Sequence, residues 1–378
     1  MFKMWKLLNG IRGFLPRSLR RQYSSTAIST LEYKREMQTF QGVYPSIIDT
    51  LKKNPALANN RESMDWLKKI FEYNLKGGKK VRAMTTLSAY KTLQTPADMT
   101  DESLHLIQVL GWCVEMIQAY FLMADDILDR SSTRRGQPCW YLIPEVGTQA
   151  VNDCSLLLGA VYEILKEYCE KLPVYTSIVH LINEAIFYTS IGQNLDYTMA
   201  RRNDYTLYTL ERYTNIVTYK TAYYTFKLPV FLGLYLASDV PQHSHKMSEQ
   251  ICLALGFLFQ MQDDYIDCFA SEAATGKLGT DIQEGKCTWL AVQALRISTP
   301  AQRETLLANY GRHEKDQVEA IKLLYKELDL PALYYREVAK CKKTVLDISQ
   351  QLDIRTKALF ENLLDDVLKH HQNRPQSS

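Results

Sequence analysis

Tyr120–Arg135 reads YFLMADDILDRSSTRR, an apolar run that passes straight into Asp125, Asp126 and Asp129 and then into the adjacent pair Arg134 and Arg135. At helical spacing Asp125 and Asp129 share a face, with Asp126 roughly 100° round. Like charges at that spacing repel, so an isolated helix gains nothing from them. A multivalent cation removes the objection, because carboxylate oxygen is the ligand Mg2+ prefers, usually in company with substrate phosphates. The arrangement returns at Phe259–Asp267, FQMQDDYID, with Asp263, Asp264 and Asp267. Two such clusters, each closing a long apolar helix, can face one another across the interior of a helical bundle. Six carboxylates alone would repel a diphosphate; with divalent ions between them they would hold one and stabilise its charge as it leaves.

From Thr30 onward almost every segment carries the helical period. Phe40, Val43, Tyr44, Ile47, Ile48 and Leu51 make one apolar stripe, and Met64, Trp66, Leu67, Ile70 and Phe71 another. No alternating run bounded by turn signals stands out, so no sheet is expected. Breaks are expected at Thr95–Thr100, Gly136–Val146, Met199–Asp204, Asp239–His243 and Ser271–Thr280. No internal repeat or low-complexity linker divides the chain, so residues 29–378 read as one all-α domain.

A hydrophobic fraction of 46% and a charged fraction of 23% over 378 residues suit a soluble globular protein with a sizeable core. The net charge of +3 is unevenly spread: residues 1–31 hold six bases and no acid, leaving the remainder at about −3 (+3 less six). That balance gives nucleic-acid binding no electrostatic support. The leader interleaves its bases with Phe2, Trp5, Leu7, Leu8, Ile11, Phe14 and Leu15 and ends in RRQYSST, the character of a mitochondrial transit peptide over residues 1–28 and of a matrix destination. Eight scattered cysteines without a C-x-x-C fit reduced, buried thiols. The longest apolar stretch, Leu106–Ala124, is interrupted by Gln108, Glu115 and Gln118 and reads as a core helix, so no membrane span is expected.

Basic residues recur beside these carboxylates. LKGGKKVRAM (Leu75–Met84) places Gly77 and Gly78 before Lys79, with Arg82 three residues on. Paired glycines at a helix start let backbone N–H groups approach an anion; taken alone the segment is more often an ordinary turn with surface bases, and it lacks the P-loop spacing. Arg134 and Arg135 follow Asp129 closely enough to meet an anion held there. Tyr213–Pro229, YTNIVTYKTAYYTFKLP, puts Lys220 and Thr221 in mid-helix beside aromatic rings. Such a lysine ordinarily snorkels to solvent; pointing inward it offers a cation to phosphate, while the rings offer π-faces to a carbocation. TGKLGTDIQEGKCTW adds Lys277 and Lys286. The seven histidines show no metal spacing.

Together these segments resemble the short-chain trans-prenyltransferase (isoprenyl diphosphate synthase) family, most closely its eukaryotic farnesyl diphosphate synthases. The similarity runs from about Glu36 to Asp366 and rests on GGKxxR at Gly77–Arg82, DDxxD at Asp125–Asp129 with RRGQ at Arg134–Gln137, YKTAxYxF at Tyr219–Phe226, FQxQDDYxD at Phe259–Asp267 and TGKxGTDIQxxKCxW at Thr275–Trp289. One aspartate motif is a common accident; five motifs in the family's order are not. The resemblance implies an isoprenoid-synthase bundle of antiparallel helices around a central cavity, working as a homodimer. It implies three Mg2+ ions held by Asp125, Asp126, Asp129 and Asp263, with Asp264 and Asp267 in support. Arg134, Lys220, Gln260, Lys277 and Lys286 would meet the allylic diphosphate, and Lys79, Arg82, Gln118 and Arg135 the isopentenyl diphosphate. Lys220, Thr221 and Gln260 would stabilise the allylic cation.

Tyr120 and Phe121 would cap the pocket, since at about 1.5 Å per residue their rings sit roughly 6–8 Å beyond the metal site, one or two isoprene units away. Three departures stand against the pattern: Tyr120 where phenylalanine is usual, Ala83 where glycine is usual, and a C-terminus without the basic cluster. The expected activity is head-to-tail condensation to farnesyl diphosphate. The alternatives are a synthase stopping at geranyl diphosphate, a terpene synthase derived from the family, and a non-catalytic partner of another prenyltransferase. The intact isopentenyl set argues against the terpene synthase, and two intact aspartate clusters against the last.

Overall fold

The computed structural model describes residues 30–202, 204–238, 240–270 and 279–372. The chain divides into two compact units, residues 1–41 and 42–378. The expected leader, 1–28, and its boundary lie outside the described residues. The described part of the first unit is helical, within α1 (Thr30–Gly42).

The second unit is built almost wholly of helices. Its first half contains α2 (Tyr44–Lys52), α3 (Pro55–Ala58), α4 (Arg61–Asn74), α5 (Val81–Leu93), α6 (Asp101–Leu128), α7 (Ala150–Cys169) and α8 (Tyr175–Arg202). One continuous rod follows: α9 (Leu210–Val217), a π-helix over Thr218–Lys227, and α10 (Leu228–Leu236). Then come α11 (Gln242–Phe269), α12 (Trp289–Ile297), α13 (Pro300–Asn309), α14 (Lys315–Glu327), α15 (Leu330–Ser349) and α16 (Ile354–Gln372). The expectation of no strands needs one correction: β1 (Thr133–Arg134) pairs antiparallel with β2 (Gln137–Pro138). Arg135 and Gly136 both take positive φ, 54° and 76°, the two-residue turn whose twist matches its flanking strands. Two-residue strands are too short to show alternation in sequence.

Helix α6 organises this unit. Thr100 starts it with a reciprocal cap, its hydroxyl accepting the Ser103 N–H while Ser103 accepts the Thr100 N–H. From Ile107 to Ala119 every residue is buried, the signature of a helix enclosed on all sides, and α5 and α7 pack against it. It is the one helix among the described residues long and apolar enough to cross a membrane, but 78% of its most apolar window is buried within the protein. The expected break Thr95–Thr100 falls between α5 and α6, whereas α8 runs on to Arg202, into the break expected at Met199–Asp204. All eight cysteines are free and buried.

The rod lies between α8 and α11, and two glycines permit it. A Cβ on Gly192 of α8 would stand 2.1 Å from the Lys220 nitrogen, and one on Gly256 of α11 would stand 2.3 Å from the Ala222 Cβ. The same two helices each send a carboxylate to one buried lysine: Lys227 Nζ lies 2.7 Å from Glu184 and 2.6 Å from Glu249. Backbone contact at the glycines and a shared cation together hold the π-helical turns in place.

Candidate active site

Asp125 and Asp126 occupy the last turn of α6 and Asp129 is its C-cap. Each has a basic partner. Asp126 accepts from Arg134 Nε at 3.0 Å, Arg134 also lies 3.7 Å from Asp125, and Lys286 Nζ donates to Asp129 at 3.1 Å. Lys220, on the π-helix, points inward and not to solvent: its Nζ lies 3.6 Å from Asp125 and 2.5 Å from Asp196 of α8. Lys286 reaches the same Asp196 oxygen at 3.4 Å. Burial alone would raise the Asp196 carboxyl, but the two lysines hold it down at about 2. Asp196 is thus the counter-ion that keeps both lysines beside the first cluster.

Neither Asp196 nor Gln193, whose amide donates to Asp125 at 2.7 Å, was expected from sequence. A lone aspartate and a lone glutamine within a long helix carry no local signal, and only their i, i+3 spacing places them on one face.

The second cluster lies on the other side of the same π-helical turn. Thr221 Oγ1 donates to Gln260 Oε1 at 2.8 Å, and Gln260 Nε2 donates to Asp264 Oδ1 at 2.9 Å. The other Asp264 oxygen accepts the Trp289 N–H at the start of α12, 2.8 Å away. Burial, and the charge of Asp263, push this carboxyl up to about 7 against those donors. Asp267 accepts the Asp281 N–H at 3.0 Å, an approach that requires Gly279, where a Cβ would meet the Asp267 carbonyl at 1.9 Å. Asp281 is a fourth acid here; burial and then Asp267, Asp264 and Asp263 raise its carboxyl, while Lys286 opposes them. Lys220 therefore stands beside the first cluster while its neighbour Thr221 reaches the second through Gln260, and Lys286 bonds Asp129 of the first and opposes the raised carboxyl of Asp281 beside the second. Lys277 lies outside the described residues.

The basic set expected around the glycine pair is partly drawn together. Gly77 and Gly78 take φ of 73° and 70° and Lys80 takes 50°, so α5 begins at Val81, with Lys79 before the helix and Arg82 in its first turn. Lys79 is exposed. Arg135 donates to the Asn74 and Lys76 carbonyls at 3.1 and 3.0 Å and fills the space where a Gly78 side chain would go, with Nη2 3.0 Å from the would-be Cβ. Arg82 binds the Tyr224 hydroxyl and Thr225 Oγ1, each at 2.8 Å. Partial burial lowers the Arg135 pKa; Glu115 opposes that, and Arg134 and Arg82 add to it, so these arginines form one positively charged neighbourhood. Gln118 is buried with its Oε1 unpartnered among the described residues, leaving hydrogen-bonding capacity for a ligand. Behind the arginines, a cavity of about 410 Å³ is lined by Tyr73, Met123, Asp126, Arg134, Arg135 and Trp140; Asp125 does not line it.

Phe121 packs on Tyr224 with centroids 5.3 Å apart and on Tyr120 at 5.0 Å. Burial raises the Tyr120 phenol pKa; Cys154 adds to this and Ser190 of α8 opposes it. The aromatic pair is therefore packed on the π-helix through Tyr224.

The donor set fits Mg2+. Its candidate ligands are carboxylate oxygens, and among the described residues no three His, Cys, Asp or Glu side chains are grouped so as to hold a metal ion on their own. Mg2+ keeps several waters and completes its shell from one or two carboxylates and substrate phosphates. Around Asp264 the acids raise one another's pKa, an excess of negative charge that a divalent ion relieves.

The family model "Polyprenyl synthetase" matches residues 64–328. The farnesyl pyrophosphate synthase of Murgantia histrionica is 41% identical over 344 residues, covering 91% of this chain and 83% of that protein. The Homo sapiens enzyme of the same name is 42% identical over 308 residues, 80% of this chain and 73% of the relative. Among solved structures, T. brucei farnesyl diphosphate synthase complexed with risedronate superposes with a TM-score of 0.80 at 31% identity, covering 90% of this chain and all of that one.

Proposed function

This chain belongs to the polyprenyl synthetase family, and on that premise we propose that it joins dimethylallyl and then geranyl diphosphate head-to-tail to isopentenyl diphosphate, yielding farnesyl diphosphate. The observation that carries this reading is that both aspartate clusters meet at the π-helix and the loop before α12: Lys220 stands at Asp125, Thr221 reaches Asp264 through Gln260, Lys286 bonds Asp129 and the Trp289 N–H bonds Asp264.

Asp125, Asp126, Asp129 and Asp263 would hold Mg2+, three ions in our reading, with Asp264 and Asp267 supporting them. When bound, the metal supplies Lewis-acid stabilisation of the leaving pyrophosphate. Arg134, Lys220 and Lys286 would bind that same group as its charge develops, exchanging their present carboxylate partners for phosphate oxygens, and Lys277 would join them; in many active sites such preorganised charge supplies most of the rate enhancement. Thr221, Gln260 and the Lys220 carbonyl would turn their oxygens toward the allylic cation. Lys79, Arg82, Gln118 and Arg135 would hold the isopentenyl diphosphate so that its double bond attacks, and the released pyrophosphate takes the proton. Tyr120 and Phe121 would close the pocket beyond the metal site, their rings packed on each other and, through Phe121, on Tyr224.

The test is incubation of purified protein with dimethylallyl and isopentenyl diphosphates and Mg2+, with products identified by chain length. A fifteen-carbon diphosphate is expected. A ten-carbon product overturns the chain-length assignment, and hydrocarbon or alcohol formed without isopentenyl diphosphate overturns the condensation. A homodimer and a mitochondrial destination are also part of the proposal. Val151 of α7 and Phe187 of α8 remain 62% and 63% exposed, apolar surface that a second copy would cover. The acid-free basic leader supports the destination. Light scattering and the location of a fluorescent protein fused to residues 1–28 test the two.

A further inference from the structure

Three tyrosines outside every motif above grip the loop that carries Lys286. Tyr205 and Tyr208, on and just after the short 3-10 turn Tyr205–Leu207, and Tyr310, just after α13, are buried to 9%, 4% and 1% exposure. Their rings meet nearly at right angles, at 88°, 85° and 90°. The hydroxyls do more than pack. Tyr208 donates to the Gly285 carbonyl, Tyr310 donates to the Lys286 carbonyl at 2.7 Å, and Tyr205 donates to the Tyr310 carbonyl at 2.9 Å. Two successive loop carbonyls are thereby held, and the Gly311 N–H ties the loop again at the Ile282 carbonyl, 2.9 Å away. Gly285 and Gly311 make the approach possible: both have positive φ, and a Cβ on Gly311 would stand 2.3 Å from the Tyr205 oxygen.

What this grip positions is the site itself. The Lys286 side chain reaches Asp129 and Asp196. Three residues on, the Trp289 N–H holds Asp264, with Thr288 capping α12 between them. One five-residue stretch therefore contacts both aspartate clusters, and its backbone is fixed from behind by hydroxyls that phenylalanine would lack while packing equally well.

We infer that Tyr205, Tyr208 and Tyr310 are positioning residues that set the affinity for the allylic diphosphate by fixing the backbone at Gly285–Lys286. This rests on the condensation reading above. The full chain and its Tyr310→Phe and Tyr208→Phe variants are compared by steady-state kinetics, varying geranyl and isopentenyl diphosphates separately, and by calorimetric titration with Mg2+ plus inorganic pyrophosphate. Loss of one positioning hydrogen bond should raise the KM for geranyl diphosphate and weaken Mg2+–pyrophosphate binding roughly tenfold. The KM for isopentenyl diphosphate should stay unchanged. Ile164→Val, a core change in α7, should move neither constant. Equal changes in both KM values, wild-type kinetics and binding in both tyrosine variants, or the same pattern in Ile164→Val would overturn the inference. Should Tyr310→Phe not fold, Tyr208→Phe carries the same test. A wild-type protein that makes no product overturns the condensation reading instead.

Discussion

Asp196 holds two lysines on one carboxylate, and its protonation state bears on both stability and turnover. Its folded pKa of about 2 lies below the ordinary 3.8, so the folded state binds fewer protons than the unfolded state between those values. The stabilisation is fully present above about pH 4 and is lost as pH falls toward 2, on the order of 2 kcal/mol. Asp196→Asn should flatten that acid limb in denaturation experiments repeated across the window; an unaltered limb would show that the lysines do not hold the carboxylate. With their shared counter-ion gone, Lys220 and Lys286 lose their alignment, and kcat/KM should fall roughly 100-fold, the scale of an ångström's misplacement. Asp125→Ala and Asp263→Ala should lose several orders of magnitude more. The aspartate clusters were legible in the sequence because each ends an apolar run and the pattern occurs twice. Asp196 was not, because its partners Lys220 and Lys286 lie 24 and 90 residues away along the chain.

The rod Leu210–Leu236 shows the same limit for elements. Its aromatic, β-branched sequence reads as a helix, and it is one, but nothing local distinguishes i→i+5 bonding over Thr218–Lys227 from the ordinary kind. The π-helical turns lie where α8 and α11 approach the rod through Gly192 and Gly256, and they carry Lys220 and Thr221; π-helical turns often mark functional sites. Glycine in mid-helix costs stability where space is open and is indispensable where backbones touch. Gly192→Ala and Gly256→Ala should therefore destabilise by about 1–3 kcal/mol or more and displace Lys220 and Thr221. Gly159→Ala in α7, where a Cβ meets nothing within 4 Å, should stabilise by about 0.4–1 kcal/mol. Urea titration of the three variants gives the signs directly. If Gly192→Ala and Gly159→Ala move the midpoint the same way, the close approach of α8 to the rod is wrong.

For the molecule as a whole, the site is assembled from segments that no short stretch brings together: the end of α6, the middle of α8, the π-helix, the end of α11 and the loop before α12. The all-helical architecture could be read from periodicity, because burial on α6 and amphipathic stripes elsewhere impose it. That the ends of α6 and α11 face one another was readable from the repeated aspartate pattern; what holds them there was not, since it depends on the rod packing against Gly192 and Gly256 and on the loop that joins Asp129 to Asp264 through Lys286 and Trp289. Lys220, Lys286 and Arg134 offset the charge of the first cluster, while the second keeps several acids in mutual repulsion. Pyrophosphate alone would face that repulsion, and Mg2+ alone would lack phosphate oxygens to complete its shell. Only the two together should stabilise the fold, by about 2.7 kcal/mol at a hundred times the dissociation constant, read as a rise in melting temperature absent with either component alone. Asp125→Ala and Asp263→Ala lie in different helices, yet each should abolish the rise while leaving the unliganded protein folded. If either variant keeps the full rise, the two clusters do not share one ligand.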